Sequence, residues 1–234
     1  MKKLKLKSII LKKILISYIL ILFISKSVFS NELDFEIQGN QFTDTEVILS
    51  LLNQIPENIN EEYSNEIIQI LNNSNLFSDV RVNLDNNKYI IYVREFPNIN
   101  NLYFKNNERL KDDELEFIAS EVNLKNLNNS TINIFINETK KIYESYGYNN
   151  VKIDYNEKIN KDNNTVDLYF NISEGTITKI NKIIINGNKS LFTDDIKAIL
   201  KSKTKSIRNI FANNNFKPSV VERDKILILD YYKN

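Results

Sequence analysis

Short runs of alternating apolar and polar residues alternate with stretches in which apolar residues fall at helical spacing. The first run, Leu33 to Ile37, stops at Gly39-Asn40, which predicts a half-buried strand followed by a turn. Two stretches at helical spacing come next, and then two strands joined by an Asn86-Asn87 hairpin turn. In chain order, the helices are predicted within Val47–Ile55 and Tyr63–Leu71, and the strands at Val80–Leu84 and Tyr89–Val93.

The same order of strand, helix, helix, strand and strand recurs further along the chain. Its elements are predicted at Leu102–Phe104, Asp112–Val122, Ile132–Tyr146, Val151–Tyr155 and Val166–Ile172. Gly147 follows the long helix as a left-handed cap would. A third copy begins with the strand Ile183-Ile184-Ile185, continues through helices near Ile196–Leu200 and Val220–Tyr231, and stops before a closing hairpin. The fold class is therefore α+β, with units built in tandem and a third unit that is incomplete.

The strand-ending turn sets the period of the repeat. It occurs at Gly39-Asn40, Asn106-Asn107 and Gly187-Asn188, at separations of 67 and 81 residues. Asn106 stands where the other turns have Gly, and Asn is the side chain that best tolerates left-handed backbone. A period of this length is one small domain per repeat. We expect units at 31–97, 98–177 and 178–234.

The first thirty residues have the three parts of a secretory signal peptide. A Lys-rich start without acids precedes the apolar run Ile14–Ile24 and a short stretch of mostly small residues, with cleavage expected after Ser30 or Ser27. An uncleaved anchor is the alternative, although the run is shorter than the ~20 residues that span a bilayer. Removing residues 1–30 removes seven Lys and leaves 24 basic and 30 acidic side chains, a net charge of about −6. That charge does not favour nucleic acid as a partner.

Composition narrows the possible chemistry. The 234 residues contain no Cys and no His, so thiol nucleophiles, disulfides, imidazole bases and the usual zinc and haem sites are excluded. Acids such as Asp112-Asp113-Glu114 stand at predicted helix starts, where they favour the helix dipole. We expect no enzyme activity, no cofactor and no metal.

Several fragments in the expected order resemble POTRA (polypeptide-transport-associated) domains, especially the periplasmic region of the BamA family. The resemblance covers essentially all of residues 31–234. It rests on Ile37-Gln38-Gly39-Asn40, Leu76-Phe77-Ser78-Asp79-Val80, Val93-Arg94-Glu95-Phe96-Pro97, Tyr143 to Tyr148, Ile172-Ser173-Glu174-Gly175 and Gly187 to Phe192. It implies a periplasmic array at the outer membrane that receives unfolded outer membrane proteins and docks assembly-machine lipoproteins. The family's membrane barrel is absent from this chain.

The resemblance and the strand pattern together suggest where binding would occur. The last strand of each unit is the most continuously apolar, so we expect it at the centre of a three-stranded mixed sheet covered by two helices. The second strand then becomes an open edge, able to accept an extended polypeptide by β-augmentation. Edge charges could instead blunt these strands. The candidate edges are Val80, Arg81, Val82, Asn83 and Leu84 in unit one, and Val151, Lys152, Ile153, Asp154 and Tyr155 in unit two.

Other candidate residues concern the joints between units and the competing functions. Glu95-Phe96-Pro97 and Glu174-Gly175 are predicted joints, the first stiffened by proline. Three alternative functions remain. They are a POTRA region of a translocation or autotransporter-assembly barrel protein, a barrel-less periplasmic paralogue, and a cell-division type membrane protein. We expect the chain to be a fragment of a longer protein.

Overall fold

The computed structural model describes residues 33–53, 55–56, 58–205 and 213–233. The predicted signal peptide at 1–30, with its cleavage sites, lies outside the described residues. Unit one follows the predicted order. Its elements are β1 (Asp34–Gln38), α1 (Thr45–Leu51), α2 (Glu61–Asn73), β2 (Phe77–Asp85) and β3 (Lys88–Glu95).

Unit two repeats that order with longer elements. It contains β4 (Asn98–Lys105), α3 (Asp112–Glu121), α4 (Asn129–Tyr146), β5 (Lys152–Asn160) and β6 (Thr165–Ser173). The predicted strand Leu102–Phe104 is the end of β4. Val151, predicted as part of the edge strand, lies one residue before β5 begins. Gly147 ends α4 with φ +98°, the left-handed cap expected from the sequence.

Both units form a three-stranded mixed sheet with the last strand at the centre. The strand orders are β1-β3-β2 and β4-β6-β5. In each sheet the first strand pairs in parallel with the last, and the hairpin pairs antiparallel. The predicted fold class is confirmed for these units. The central strands are the most apolar because they are covered along both edges, and one face of each lies under the helices.

Each sheet packs one face on its two helices. In unit one, Tyr89 of β3 is completely buried between Phe35 and Tyr63, with ring centroids 5.4 and 5.5 Å apart. Its hydroxyl accepts a hydrogen bond from the Asn60 backbone N–H at 2.9 Å, so the buried oxygen is satisfied. In unit two, Phe170 of β6 packs against Phe104 and Phe135. Full burial of one such side chain contributes about 1.5–3 kcal/mol.

The third segment contains α5 (Thr193–Ile199) and α6 (Pro218–Lys233) but no strand among its described residues. The prediction of a strand at Ile183-Ile184-Ile185 is wrong. In units one and two the first strand is held by the central hairpin strand, and the described part of the third segment has no such partner. Alternation and β-branched residues alone do not make a strand, because its hydrogen bonds come from a neighbour.

Candidate strand edges and inter-unit joints

The second strand of each unit lies at the edge of its sheet. In the described part of the chain, β2 pairs only with β3, and β5 pairs only with β6. Each therefore has one side on which no strand lies. The predicted edge residues lie on these strands, with Val80 to Leu84 inside β2 and Lys152 to Tyr155 at the start of β5.

Side chains on the two edges alternate between the helix-covered face and the open face. Val80 and Ile153 are buried, whereas Arg81, Asn83, Lys152 and Asp154 are exposed. The apolar positions anchor each edge strand to its core. A strand added alongside would continue the same covered and open faces.

Charge on the edges is mixed in sign. Arg81 Nε lies 3.3 Å from Asp79 Oδ2, and both side chains are largely exposed, so this ion pair adds little stability. Lys152 and Asp154 put both signs on β5 as well. Each edge therefore carries both signs of charge.

The three turns predicted to end strands share one hydrogen-bond pattern, although no strand of the described structure precedes the third. In each, the Asn side-chain amide donates to the carbonyl three residues later and to a side-chain oxygen five residues later, at 2.7–3.1 Å. The amide thereby links the turn to the first helical residue. The sequence predicted these turns but not this role, for which a Thr or Asp five residues after the Asn is the signal. The three residues are Asn40, Asn107 and Asn188.

The residue before each of these Asn has positive φ. Gly39, Asn106 and Gly187 have φ of +92°, +63° and +84°. At Gly39 a Cβ atom would lie 2.2 Å from the Val93 carbonyl oxygen, so only glycine fits there. At Gly187 a Cβ atom would meet nothing within 4 Å.

Glu95, predicted to lie in the first joint, is the last residue of β3. Its carboxylate accepts hydrogen bonds from the backbone N–H groups of Gln41, Phe42 and Thr43 at 2.6–3.2 Å. Those residues follow the Gly39-Asn40 turn of the same unit. Glu95 therefore links the last strand of unit one to the first turn of the same unit. The joint between units one and two consists of Phe96 and Pro97 alone.

Glu174 links the end of the last strand to the first turn in unit two. Its Oε1 accepts from the Arg109 backbone N–H at 2.7 Å and from the Tyr143 hydroxyl at 2.8 Å. Burial, with a further contribution from the Glu174 carboxylate, raises the pKa of Tyr143. Sequence reasoning missed the contacts of Glu95 and of Glu174, although an acid stands at the end of the last strand in unit one and directly after it in unit two.

The first joint is bonded on both sides of Pro97. The Phe96 backbone N–H donates to the Leu76 carbonyl in unit one at 2.9 Å. The Leu127 N–H of unit two donates to the Pro97 carbonyl at 2.8 Å. The two linker residues are therefore held by hydrogen bonds to both units.

The second joint brings Gly147 of unit two against the third segment. The Gly147 carbonyl accepts from the Thr178 N–H at 2.9 Å. A Cβ atom on Gly147 would lie 3.1 Å from both Ile177 and Asn215. Gly147 thus serves both as a helix cap and as a point of close approach. Gly175, also predicted in this joint, has φ +69° and more room.

Within the described ranges, no group of three or more Asp or Glu side chains is placed to hold a metal ion. Over the same ranges, none of the helices has the length and apolar character needed to cross a membrane.

Comparison with known proteins finds a family match for unit two. Residues 97–175 match the POTRA family, described as "Surface antigen variable number repeat". Those residues contain all of β4 to β6 with α3 and α4.

Curated relatives extend the likeness across the chain. The outer membrane protein assembly factor BamA of Neorickettsia risticii is 24% identical over 221 residues, which are 91% of this chain and 29% of that protein. BamA of Neisseria meningitidis serogroup B is 24% identical over 210 residues, covering 86% of this chain and 26% of that protein. The chain thus spans between a quarter and a third of the length of these relatives.

Among the solved structures similar to this chain are one of BamA and one of Omp85. Haemophilus influenzae BamA POTRA3-5 gives a TM-score of 0.41 at 14% identity, covering 85% of this chain and 84% of that chain. The N-terminal domain of Omp85 from Thermosynechococcus elongatus gives 0.45 at 13% identity, with the same coverage.

The family match covers residues 97–175, and the chain is similar to curated BamA proteins over most of its length. The resemblance inferred from the sequence is confirmed.

Proposed function

We propose that this chain receives unfolded outer membrane proteins in the periplasm by pairing them, strand to strand, with the open edges of β2 and β5. The observation that carries the proposal is the strand order of both sheets. Each places the first hairpin strand at an edge that no other described strand covers. The names of the curated relatives, outer membrane protein assembly factors, support the same role.

Main-chain pairing suits clients that share a conformation rather than a sequence. Each strand residue offers one N–H and one C=O, so an edge of nine residues in β2 or in β5 can hold an extended segment without specific side-chain pockets. The exposed charges of mixed sign on both edges agree with tolerance of many sequences. The periplasmic face of the outer membrane is the proposed location.

Docking of assembly-machine lipoproteins is part of the same proposal. A folded partner with an open strand of its own can pair with the edge that a client leaves free. Two edges in one chain would allow client and partner to bind together. The assembly role is favoured over translocation because the curated relatives carry assembly names.

The test compares two synthetic peptides that differ only in their backbone. The first is a ten-residue strand with alternating apolar and polar residues. The second carries N-methyl groups on alternate residues along one edge, which removes its donors and keeps its side chains. We expect the first peptide to bind the chain and the methylated peptide to lose most of its affinity in fluorescence anisotropy.

Proline variants locate the binding edge. Asn83→Pro and Leu84→Pro differ in which side of β2 loses its N–H, because backbone donors alternate between the two sides of a strand. One variant should weaken β2–β3 pairing, and the other should keep the fold and lose peptide binding at β2. Equal affinity for the two peptides would contradict the proposal. Full peptide binding would also contradict it if it persisted in a folded double variant that carries one outer-side proline in β2 and one in β5.

A further inference from the structure

The two joints contain the same antiparallel bridge. In unit two, Asn98 at the start of β4 is bridged to Asn126, which precedes α4. In the third segment, Lys179 is bridged to Asn215, which precedes α6. Lys179 is thus the equivalent of Asn98, 81 residues later, and Asn215 is the equivalent of Asn126, 89 residues later. In both cases the segment before the second helix pairs with the start of its own unit.

The hydrogen bonds around these bridges correspond one by one. Around the first, the Ile99 N–H donates to the Lys125 carbonyl and the Leu127 N–H donates to the Pro97 carbonyl, both at 2.8 Å. Around the second, Ile180 donates to Asn214 at 2.7 Å and Phe216 donates to Thr178 at 2.8 Å. The bridge forms in the third segment although no sheet forms among the described residues there, so it belongs to the joint rather than to the sheet.

The central Asn of each bridge reaches across to the preceding unit. The Asn126 amide donates to the carbonyl of Asn75, just beyond the end of α2. The Asn215 amide donates to the carbonyl of Tyr146, the last residue of α4, at 3.4 Å. Asn126 is only 8% exposed, so a different orientation of the two units that keeps this amide buried but moves the Asn75 carbonyl away would leave the amide without a partner.

A second amide strengthens each contact. Asn128 accepts from the Ser130 N–H at the start of α4 and donates to Asn75 Oδ1 at 3.0 Å. In the second joint the direction reverses, and Asn149 donates to the Phe216 carbonyl at 2.9 Å. Both joints therefore hold the end of one second helix against the start of the next. The carbonyl end of a helix is negative and the amide end positive, which favours this order.

We infer that Asn126 and Asn215 are positioning residues that fix the orientation of each unit relative to the one before it. The Pro97 linker restricts the chain, but the side-chain amide selects one orientation from those the linker allows. If the edges of β2 and β5 receive clients as proposed above, these residues also set the distance between the edges.

Residual dipolar couplings test this inference without any peptide, so the result does not depend on the proposed function. On the labelled chain, couplings from units one and two should fit a single alignment tensor. Asn126→Asp keeps the shape of the side chain but removes its donor. We expect the common tensor to be lost in this variant, while the couplings inside each unit still fit that unit's fold.

The matched control is Asn107→Asp, which removes the same kind of amide from a turn inside unit two. It should lower the stability of unit two and leave the common tensor unchanged. If Asn126→Asp fails to fold, Asn128→Ser keeps the cap of α4 and removes the contact with Asn75, and it should change the orientation in the same direction. A common tensor retained in folded Asn126→Asp would overturn the inference, as would one retained in Asn128→Ser where Asn126→Asp does not fold. Independent tensors for the two units in the wild-type chain would also overturn it.

Discussion

Unit two and the third segment begin alike and end differently. Both contain the Asn turn, a short helix, the antiparallel bridge and a long second helix. Unit two also has a sheet and a core of fifteen buried residues, whereas Ile196 and Leu200 are the buried apolar residues of the described third segment. An apolar groove of about 710 Å³ lies along Ile183, Ile185 and Ile228 instead. Turns and helices thus form from nearby sequence, while a strand needs a partner from elsewhere.

The largest expected difference between the two regions concerns their central apolar residues. Phe170→Ala removes a completely buried ring and should lower the stability of unit two by about 3–5 kcal/mol. Leu229→Ala on α6 removes a side chain that is 60% exposed and should change stability by about 0.5 kcal/mol or less. Hydrogen exchange of β6 and α6 amides measures both. Equal effects would show that α6 is covered in solution.

The two glycine turns should differ next. Gly39→Ala places a Cβ against the Val93 carbonyl as well as in left-handed backbone, and should cost unit one about 2–5 kcal/mol. Gly187→Ala meets only the backbone cost of about 1–2 kcal/mol. Hydrogen exchange in β3 and in α5 reports each value. A cost at Gly187 as large as that at Gly39 would place a close neighbour beside the third turn.

The third segment should respond to acid through Asp224. Burial alone would raise the pKa of Asp224, but hydrogen bonds from Ser202 and Lys201 outweigh it and lower the pKa. The folded form therefore gains stability above the ordinary Asp pKa and loses it as the pH falls through the lowered value. Asp224→Asn should cost about 1–3 kcal/mol at neutral pH and flatten the acid profile of α6 in circular dichroism. An unchanged profile would contradict this assignment.

The smallest effect should be equal in the two regions. Asn107→Ala and Asn188→Ala each remove the same pair of side-chain hydrogen bonds and should each cost about 1 kcal/mol. Amide exchange in the residues after each Asn provides the measurement. A marked effect at Asn107 with none at Asn188 would mean that the third turn does not form independently.

Features built from nearby residues could be predicted from the sequence, and contacts between distant residues could not. The alternation of Val80 to Leu84 and the apolar run Tyr89–Val93 predicted the hairpin and the sheet order, and the Gly or Asn turns predicted the strand ends. The contacts of Glu95 with Thr43 and of Asn126 with Asn75 join residues 52 and 51 positions apart. No local pattern specifies such contacts. They became visible as repeated features only when the units could be compared in three dimensions.

The wrong prediction of a strand at Ile183-Ile184-Ile185 also comes from reading a local pattern without its distant partner. Its residues have strong β propensity, yet Ile184 is 64% exposed and the segment pairs with no described strand. Propensity describes what fits on a sheet, and a sheet must be present.

The most direct test of the account is amide hydrogen exchange of β2 and β5 in the presence of a saturating unfolded outer membrane protein segment. Main-chain pairing predicts new protection at alternate residues along the outer side of β2, β5 or both, with the helices unchanged. Protection confined to the helices, or binding without any alternate pattern on either edge strand, would contradict it.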